Sequence, residues 1–245
     1  MPDPIQIPVL DAGFVTLLDS MGTDLTVVNA ARVSFAKRSQ GTLDAQGRGR
    51  LCEADEKLIR YLAHNEHWTP FGHCQATLHL KMPIFVARQW MRSNIGIVYN
   101  EVSRRYIDSP PEFYTPSHWR GRPTGGMKQG SSQAPFPDAW AGLASDALKA
   151  AHENANAEYQ KLLRCGVAPE MARMVLPQST YTEFWMTASL AAFARVVSLR
   201  EDSHAQWETQ QYALAVATHC KSLWPVSWAS LNTKDPHAPH HYLLP

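Results

Sequence analysis

Cysteine is scarce and scattered. Cys52, Cys74, Cys165 and Cys220 are the four, and no two form a C-x-x-C pair. Neither a zinc ligand set nor a dithiol redox motif is indicated, so no metal site is expected. Reduced thiols in a cytoplasmic setting are the simplest reading. No apolar run approaches the roughly 20 residues that cross a bilayer. The opening residues carry no basic stretch leading into an apolar one, so no secretory leader is expected. Excess charge of either sign is also missing. The formal net charge is +1, which gives no global field towards nucleic acid or a membrane surface. Any anion that binds must be held by a local cluster of positive groups.

What is present suits a packed globular fold. Of 245 residues, 44% are hydrophobic and 18% charged, enough apolar surface for a full core. No repeat, low-complexity tract or composition shift divides the chain, so residues 1–245 read as a single domain. The eight Trp residues are many for this length. They read as core, with the alternative that some line a pocket for a flat ligand.

Residues 5–18 mix apolar and polar positions as a strand or hairpin. Thr23 or Asp24 caps a helix through 25–35. Residues 36–51 are basic and aperiodic, an exposed loop. A helix follows over 53–64. Residues 75–82 are the cleanest strand, with Ala76, Leu78, Leu80 and Met82 alternating with polar neighbours. Pro83 ends it and opens a helix over 83–92 at its first position. Residues 107–137 contain six prolines and little periodicity, a long loop of a kind that is often functional. A long helix over 139–165, a short one over 169–176, a strand over 180–188 and helices near 190–199 and 205–222 complete an α+β pattern. The histidines at 237–241 read as a solvated tail.

Two segments carry candidate chemistry. ArgGlnTrpMetArg at 88–92 is followed by AsnGluValSerArgArgTyr at 100–106. Arg92, Arg104 and Arg105 offer planar forks that match phosphate oxygens. Gln89 can pair with a base or ribose edge, Glu101 can accept from a hydroxyl, and Ser103 can donate. The same residues also read as a solvated arginine cluster on a loop. Downstream, Arg173 and Arg200 stand on mostly apolar helices. A buried guanidinium must be paired or hold a ligand. Glu201, Asp202 and Glu208 are the alternative partners for Arg200. Cys74 beside His73 could add to a pyrimidine ring as a nucleophile, though a cysteine in an apolar strand also reads as inert core. His64 and His67 share one helix face, but no carboxylate or thiolate pattern completes a metal site.

Those blocks resemble the signature regions of the flavin-dependent thymidylate synthases. So do the segments 13–22, 30–35, 67–73, 172–177 and 199–208, and the matches run in family order from about residue 10 to 225. The resemblance implies an α+β fold with a central antiparallel sheet flanked by long helices. It implies a homotetramer with active sites shared between subunits, and the helix at 205–222 is a plausible part of that interface. The partners it implies are a small-molecule nucleotide and a folate, with no nucleic acid and no membrane.

By that resemblance Gln89, Arg92, Glu101, Ser103, Arg105, Arg173 and Arg200 hold the nucleotide, joined by the neighbouring Arg104. Arg200 is the catalytic residue, polarising the uracil near N3 so that C5 becomes nucleophilic. Ser34, His67, Thr69 and Tyr106 match positions near the flavin and folate. The implied reaction transfers one carbon from methylene-tetrahydrofolate to C5 of a uridine monophosphate, dUMP first.

The departures concentrate on the flavin. The family pattern Arg-His-Arg, two residues, Ser, one residue, Asn-Glu is here Arg92 to Glu101 with Ser93 and Asn94 in place of His and the second Arg, and with one residue inserted. Gly72, Ser189, Ala191 and Arg195 also replace family flavin contacts. The nucleotide set is kept while the FAD site is rebuilt or abandoned. If rebuilt, Ser93, Asn94 and Arg195 hold flavin in a new way. If abandoned, water can trap the exocyclic methylene to give a 5-hydroxymethyl product without a reductant, or the folate can give the hydride. A non-catalytic nucleotide-binding relative is the remaining alternative.

Overall fold

The computed structural model describes residues 5–43, 49–107, 109–123, 130–132 and 136–232; the histidines at 237–241 lie outside these ranges. The first apolar segment folds as a hairpin. β1 (Gln6–Val9) pairs antiparallel with β2 (Gly13–Met21), and Val9 lies opposite Gly13. Only glycine fits at 13, because a Cβ there would lie 1.9 Å from the Tyr212 hydroxyl and 2.7 Å from the Lys81 carbonyl.

α1 (Asp24–Arg32) starts at Thr23, whose backbone N–H donates to Thr26 Oγ1 at 3.0 Å. A short 3-10 turn, Val33–Phe35, continues it. The segment expected as a loop at 36–51 contains a small hairpin, β3 (Thr42–Leu43) with β4 (Gly49–Arg50). α2 (Glu53–His64) has the span expected from the sequence. Its Asp55 is fully buried and pairs with Arg32 at 2.5 Å, while the Ser39 hydroxyl donates to the other oxygen. Burial pushes the Asp55 carboxyl up, but the hydrogen bonds from Ser39 and Arg32 outweigh it and hold the group below the usual aspartate range.

β5 (Gln75–Pro83) is the predicted alternating strand, with Ala76, Leu78, Leu80 and Met82 buried. α3 (Ile84–Trp90) follows at once. Pro83 is the last strand residue and the cap of α3, not its first helical residue as expected, because its ψ of 145° is extended. The next strand, β6 (Ile97–Glu101), is not expected from the sequence and lies inside the arginine-rich segment. α4 (Asp138–Arg164) is the long helix. The helix expected over 169–176 is α-helical only in α5 (Pro169–Ala172), then tightens to a 3-10 turn over Arg173–Val175. β7 (Tyr181–Ser189), α6 (Leu190–Arg200) and α7 (Trp207–Leu223) agree with expectation, and α8 (Pro225–Leu231) was not foreseen. Buried Asp24 caps α8 by accepting from the backbone N–H groups of Val226 and Ser227 at 3.0 and 2.8 Å.

The five long strands form one antiparallel sheet in the order β1-β2-β5-β7-β6. Its inner face carries Val15, Leu78, Leu80, Phe184 and Met186 against α6 and α7. Each such side chain contributes about 1.5–3 kcal/mol by leaving water. One face of α7, the helix expected to take part in a subunit interface, lies in this chain's own core, while Leu214 on the same helix is exposed. Tyr212, Ala213 and Val216 are fully buried beneath the sheet and α6. Its small residues allow close helix packing within one subunit. Trp90 and Trp224 are likewise core, whereas Trp68, Trp140 and Trp185 are exposed. Among the described residues, no helix is long and apolar enough to cross a membrane.

Candidate active site

α6 delivers Arg200 at its C-terminal end, and α3 delivers Gln89 and Arg92 at its own. β5 and β7 are antiparallel neighbours, so α3 leaves one end of the pair after Pro83 and α6 leaves the other after Ser189, and the residues just past α3 meet the end of α6. Arg200 Nη2 donates to Ser93 Oγ at 3.1 Å. Its Nε is buried and has no partner. Burial pulls the Arg200 pKa below the ordinary arginine range, the charge of Arg92 acts in the same direction, and Tyr99 opposes both. A guanidinium stays charged regardless. Two cations therefore stand close together, and neither forms a salt bridge with another described residue. Of the expected alternative partners for Arg200, Glu208 holds Arg120 at 2.5 Å and Asp202 lies 2.9 Å from His204 Nδ1.

Gln89 is fixed from α7. Its Nε2 donates to Gln206 Oε1 at 2.6 Å, and the buried Thr209 hydroxyl donates to its Oε1 at 3.3 Å. Gln206, Thr209 and Tyr99 were not singled out from the sequence. The first two lie 117 and 120 residues from Gln89, and no local pattern signals such a contact.

The other sequence-predicted nucleotide contacts form separate groups. Glu101 accepts from Thr182 Oγ1 at 2.7 Å across the β6–β7 pair. Ser103 Oγ accepts from Arg105 Nε at 3.1 Å, and the Arg105 guanidinium lies 5.0 Å from the Tyr106 ring centre. Arg104 donates to the Ser109 carbonyl at 2.9 Å. Five residues of strand, roughly 17 Å, separate this group from the Ser93 loop. Arg173 is exposed beyond α5 and donates to the Glu170 carbonyl at 3.2 Å. Within one chain, Arg105 and Arg173 are not brought together with Arg92 and Arg200.

Of the residues matched to positions near the flavin and folate, Ser34 lies in the turn after α1 and His67 and Thr69 lie at the 3-10 turn Thr69–His73, whereas Tyr106 stands beside Arg105. α1 and α6 both pack on the 3-10 turn Thr69–His73. Ser34, His67 and Thr69 are exposed there, and His67 sets its ring edge-on to Tyr61 at 5.9 Å. A side chain at Gly72 would meet nothing within 4 Å, so open space lies beside the turn. Arg195 is half-buried on α6 without a partner among the described residues, and Asn94 is exposed. Ser189 is engaged as the cap of α6, accepting from the Ala192 N–H at 3.3 Å. One free cation, neutral donors and open space fit the pyrophosphate and polar edge of a dinucleotide cofactor.

Cys74 is not a nucleophile at neutral pH. Burial, aided by Asp24, pushes its thiol up to about 12, and its Sγ donates to the Thr23 carbonyl at 3.4 Å. His64, His67 and His73 are exposed, and among the described residues no three His, Cys, Asp or Glu side chains gather as a metal site.

The model of the family described as "Thymidylate synthase complementing protein" matches residues 16–226. A flavin-dependent thymidylate synthase of Thermosipho africanus is 42% identical over 223 residues, covering 90% of this chain and 91% of that protein. One from Thermus thermophilus is 41% identical over 230 residues, covering 94% and 79%. Among solved structures, the UMP/dUMP methylase PolB from Streptomyces cacaoi, bound with 5-Br UMP, superposes with a TM-score of 0.77 at 31% identity, covering 91% of this chain and 95% of that one. The chain belongs to the thymidylate synthase complementing protein family, that of the flavin-dependent thymidylate synthases.

Proposed function

We propose that the enzyme transfers a one-carbon unit from methylene-tetrahydrofolate to C5 of dUMP and completes it to a methyl group. The observation that carries this reading is the Arg92–Arg200 pair, two guanidiniums without carboxylate partners among the described residues, one with a buried unused N–H. Such a pair is stable only if an anionic or carbonyl-rich ligand takes up the free donors.

In this reading Arg200 donates to a uracil carbonyl and stabilises the negative charge that develops on the ring as C5 attacks the methylene carbon. A cytosine amino group at that edge would meet donor with donor, so uracil is selected. Arg92 neutralises the phosphate or the ring oxygen facing it. Gln89, with its Nε2 engaged by Gln206, presents an Oε1 lone pair as an acceptor for a sugar hydroxyl or a ring N–H. Arg173, Arg105 and Ser103 complete the nucleotide site from other subunits of a homotetramer. That placement explains why one chain leaves them apart, with Met174 and Tyr106 exposed beside them.

Methylene-tetrahydrofolate carries carbon at the formaldehyde level, so a methyl product needs two electrons. Bound FAD would supply them. Ser34, Thr69, Asn94 and Arg195 are the residues that would hold it, with His67 and Tyr106 beside the flat rings. Ser93 and Ser189 already use their side chains elsewhere and are not needed for this.

Incubation of the purified protein with dUMP, labelled methylene-tetrahydrofolate, FAD and NADPH tests the reading. Mass spectrometry should show a 5-methyl product, and the protein should carry a flavin absorption band. A 5-hydroxymethyl product, heavier by one oxygen, with no flavin band would assign the abandoned-flavin chemistry. No 5-substituted product would refute the assignment.

A further inference from the structure

Ser93 stands where the family pattern has a histidine, and all three of its polar groups are engaged. Its backbone N–H donates to the Trp90 carbonyl at 3.1 Å. Its carbonyl accepts from the Tyr99 hydroxyl at 2.8 Å. Its Oγ accepts from Arg200 at 3.1 Å. The donor directions are unambiguous, because a guanidinium only donates and a carbonyl only accepts.

Each of these ties runs to the core. Trp90 is fully buried, and its indole N–H points to Met186 Sδ at 3.1 Å. Tyr99 sits edge-on to buried Phe184 at 5.8 Å between ring centres. The loop turns back through Gly96, whose φ is +72°, against Ala192 on α6; a Cβ on Gly96 would lie 3.4 Å from the Ala192 Cβ. Glycine at 96 and alanine at 192 leave the lengthened loop room to lie against α6.

We propose that Ser93, braced by Tyr99, is the positioning residue for Arg200: it takes up one Nη of the guanidinium and leaves Nε and the other Nη aimed at the ligand. This rests on the reading of Arg200 as the uracil-polarising residue. In this chain the altered loop serves the nucleotide side of the site. An arginine tethered at one nitrogen loses less freedom when it stabilises charge, so the tether acts mainly on the chemical step.

The test uses Ser93→Ala, Ser93→Thr and Tyr99→Phe in the full chain. kcat and KM for dUMP are measured in the presence of methylene-tetrahydrofolate, FAD and NADPH, and S93A and the parent protein are also crystallised. Ser93→Ala should lower kcat roughly 10–100-fold with KM changed less than about threefold, since misplacing a positioned group by about 1 Å costs on that order. Ser93→Thr keeps the hydroxyl and should recover to within about threefold of the parent. Tyr99→Phe should fall between them. In crystals of S93A the Arg200 guanidinium should leave its single position. Parent-like kcat in Ser93→Ala, a loss confined to KM, or failure of Ser93→Thr to recover would each overturn the proposal. If S93A does not fold, the S93T and Y99F rates decide alone. If the parent makes no product, the functional reading fails, and the S93A crystals still decide the tether: an unmoved guanidinium overturns it.

Discussion

Arg200 and Ser93 lie 107 residues apart in sequence and 3.1 Å apart in space. That contact joins the end of α6 to the loop that departs most from the family pattern. It turns a motif difference into a structural one, because a side chain expected to face flavin faces Arg200, the residue proposed to polarise the uracil, instead. Arg200→Lys keeps the charge but loses the planar fork and its tether. kcat should fall about 100–1,000-fold, the usual loss when one charge-stabilising donor is removed. Steady-state kinetics on a variant with unchanged thermal unfolding checks this; a loss below tenfold would remove Arg200 from the chemical step.

Asp55 ties α2 to α1 through Arg32 and Ser39. Its folded pKa lies below the ordinary aspartate value, held there by Ser39 and Arg32 against the effect of burial. The unfolded chain therefore binds a proton at higher pH than the folded one, and stability from this site is complete above about pH 4. It is lost as the pH falls through the depressed folded value. Asp55→Asn should cost about 3 kcal/mol at pH 7, because it leaves Arg32 without its counter-charge. The cost should shrink as the pH drops towards 3. Urea unfolding at pH 7 and pH 3 measures both values; an equal cost at the two would contradict the coupling.

Much of this fold was legible in the sequence because its elements are long and cleanly periodic. The strand at β5 shows its alternation over eight residues, and α2 is bounded by acidic residues at its start and a histidine at its end. β6 was missed because it is short and sits among residues read for their chemistry. Its apolar Val98 and Ile97 fall on opposite faces and break any alternation signal. α8 was missed because its start depends on Asp24, a partner about 200 residues away. The site divides the same way. Arg92, Gln89 and Arg200 stand out as candidates from motifs, whereas Gln206, Thr209 and Tyr99 join them only through tertiary contacts that leave no local pattern.

Gly13→Ala should destabilise the protein by about 3 kcal/mol. The new methyl displaces the Tyr212 hydroxyl from its 2.7 Å bond to the Lys81 carbonyl and crowds two backbone oxygens. Adding Tyr212→Phe should recover part of the loss by removing the clashing oxygen. Denaturation midpoints of the single and double variants check this, and additive losses would contradict the clash.

Arg120 anchors the proline-rich segment to the start of α7. Its guanidinium bonds Glu208 at 2.5 Å and Ser131 at 3.0 Å and lies 5.2 Å from the Trp207 ring centre. Glu208 is 4% exposed; burial pushes its carboxyl up, but Arg120 outweighs that and holds it below the usual glutamate range. Arg120→Met should cost about 3–5 kcal/mol by stranding a buried carboxylate. Combining it with Glu208→Leu should restore most of that stability. Thermal unfolding of the set measures the coupling; a double variant no better than the single would place the cost elsewhere.

The most direct test is a crystal structure with dUMP bound. The expected result is one nucleotide with its uracil edge on the free donors of Arg200, Arg92 beside it, Ser93 still tethering the guanidinium, and Arg173 reaching in from a neighbouring subunit. A nucleotide bound away from Arg200, or Arg92 and Arg200 directed at separate solvent with nothing between them, would contradict it.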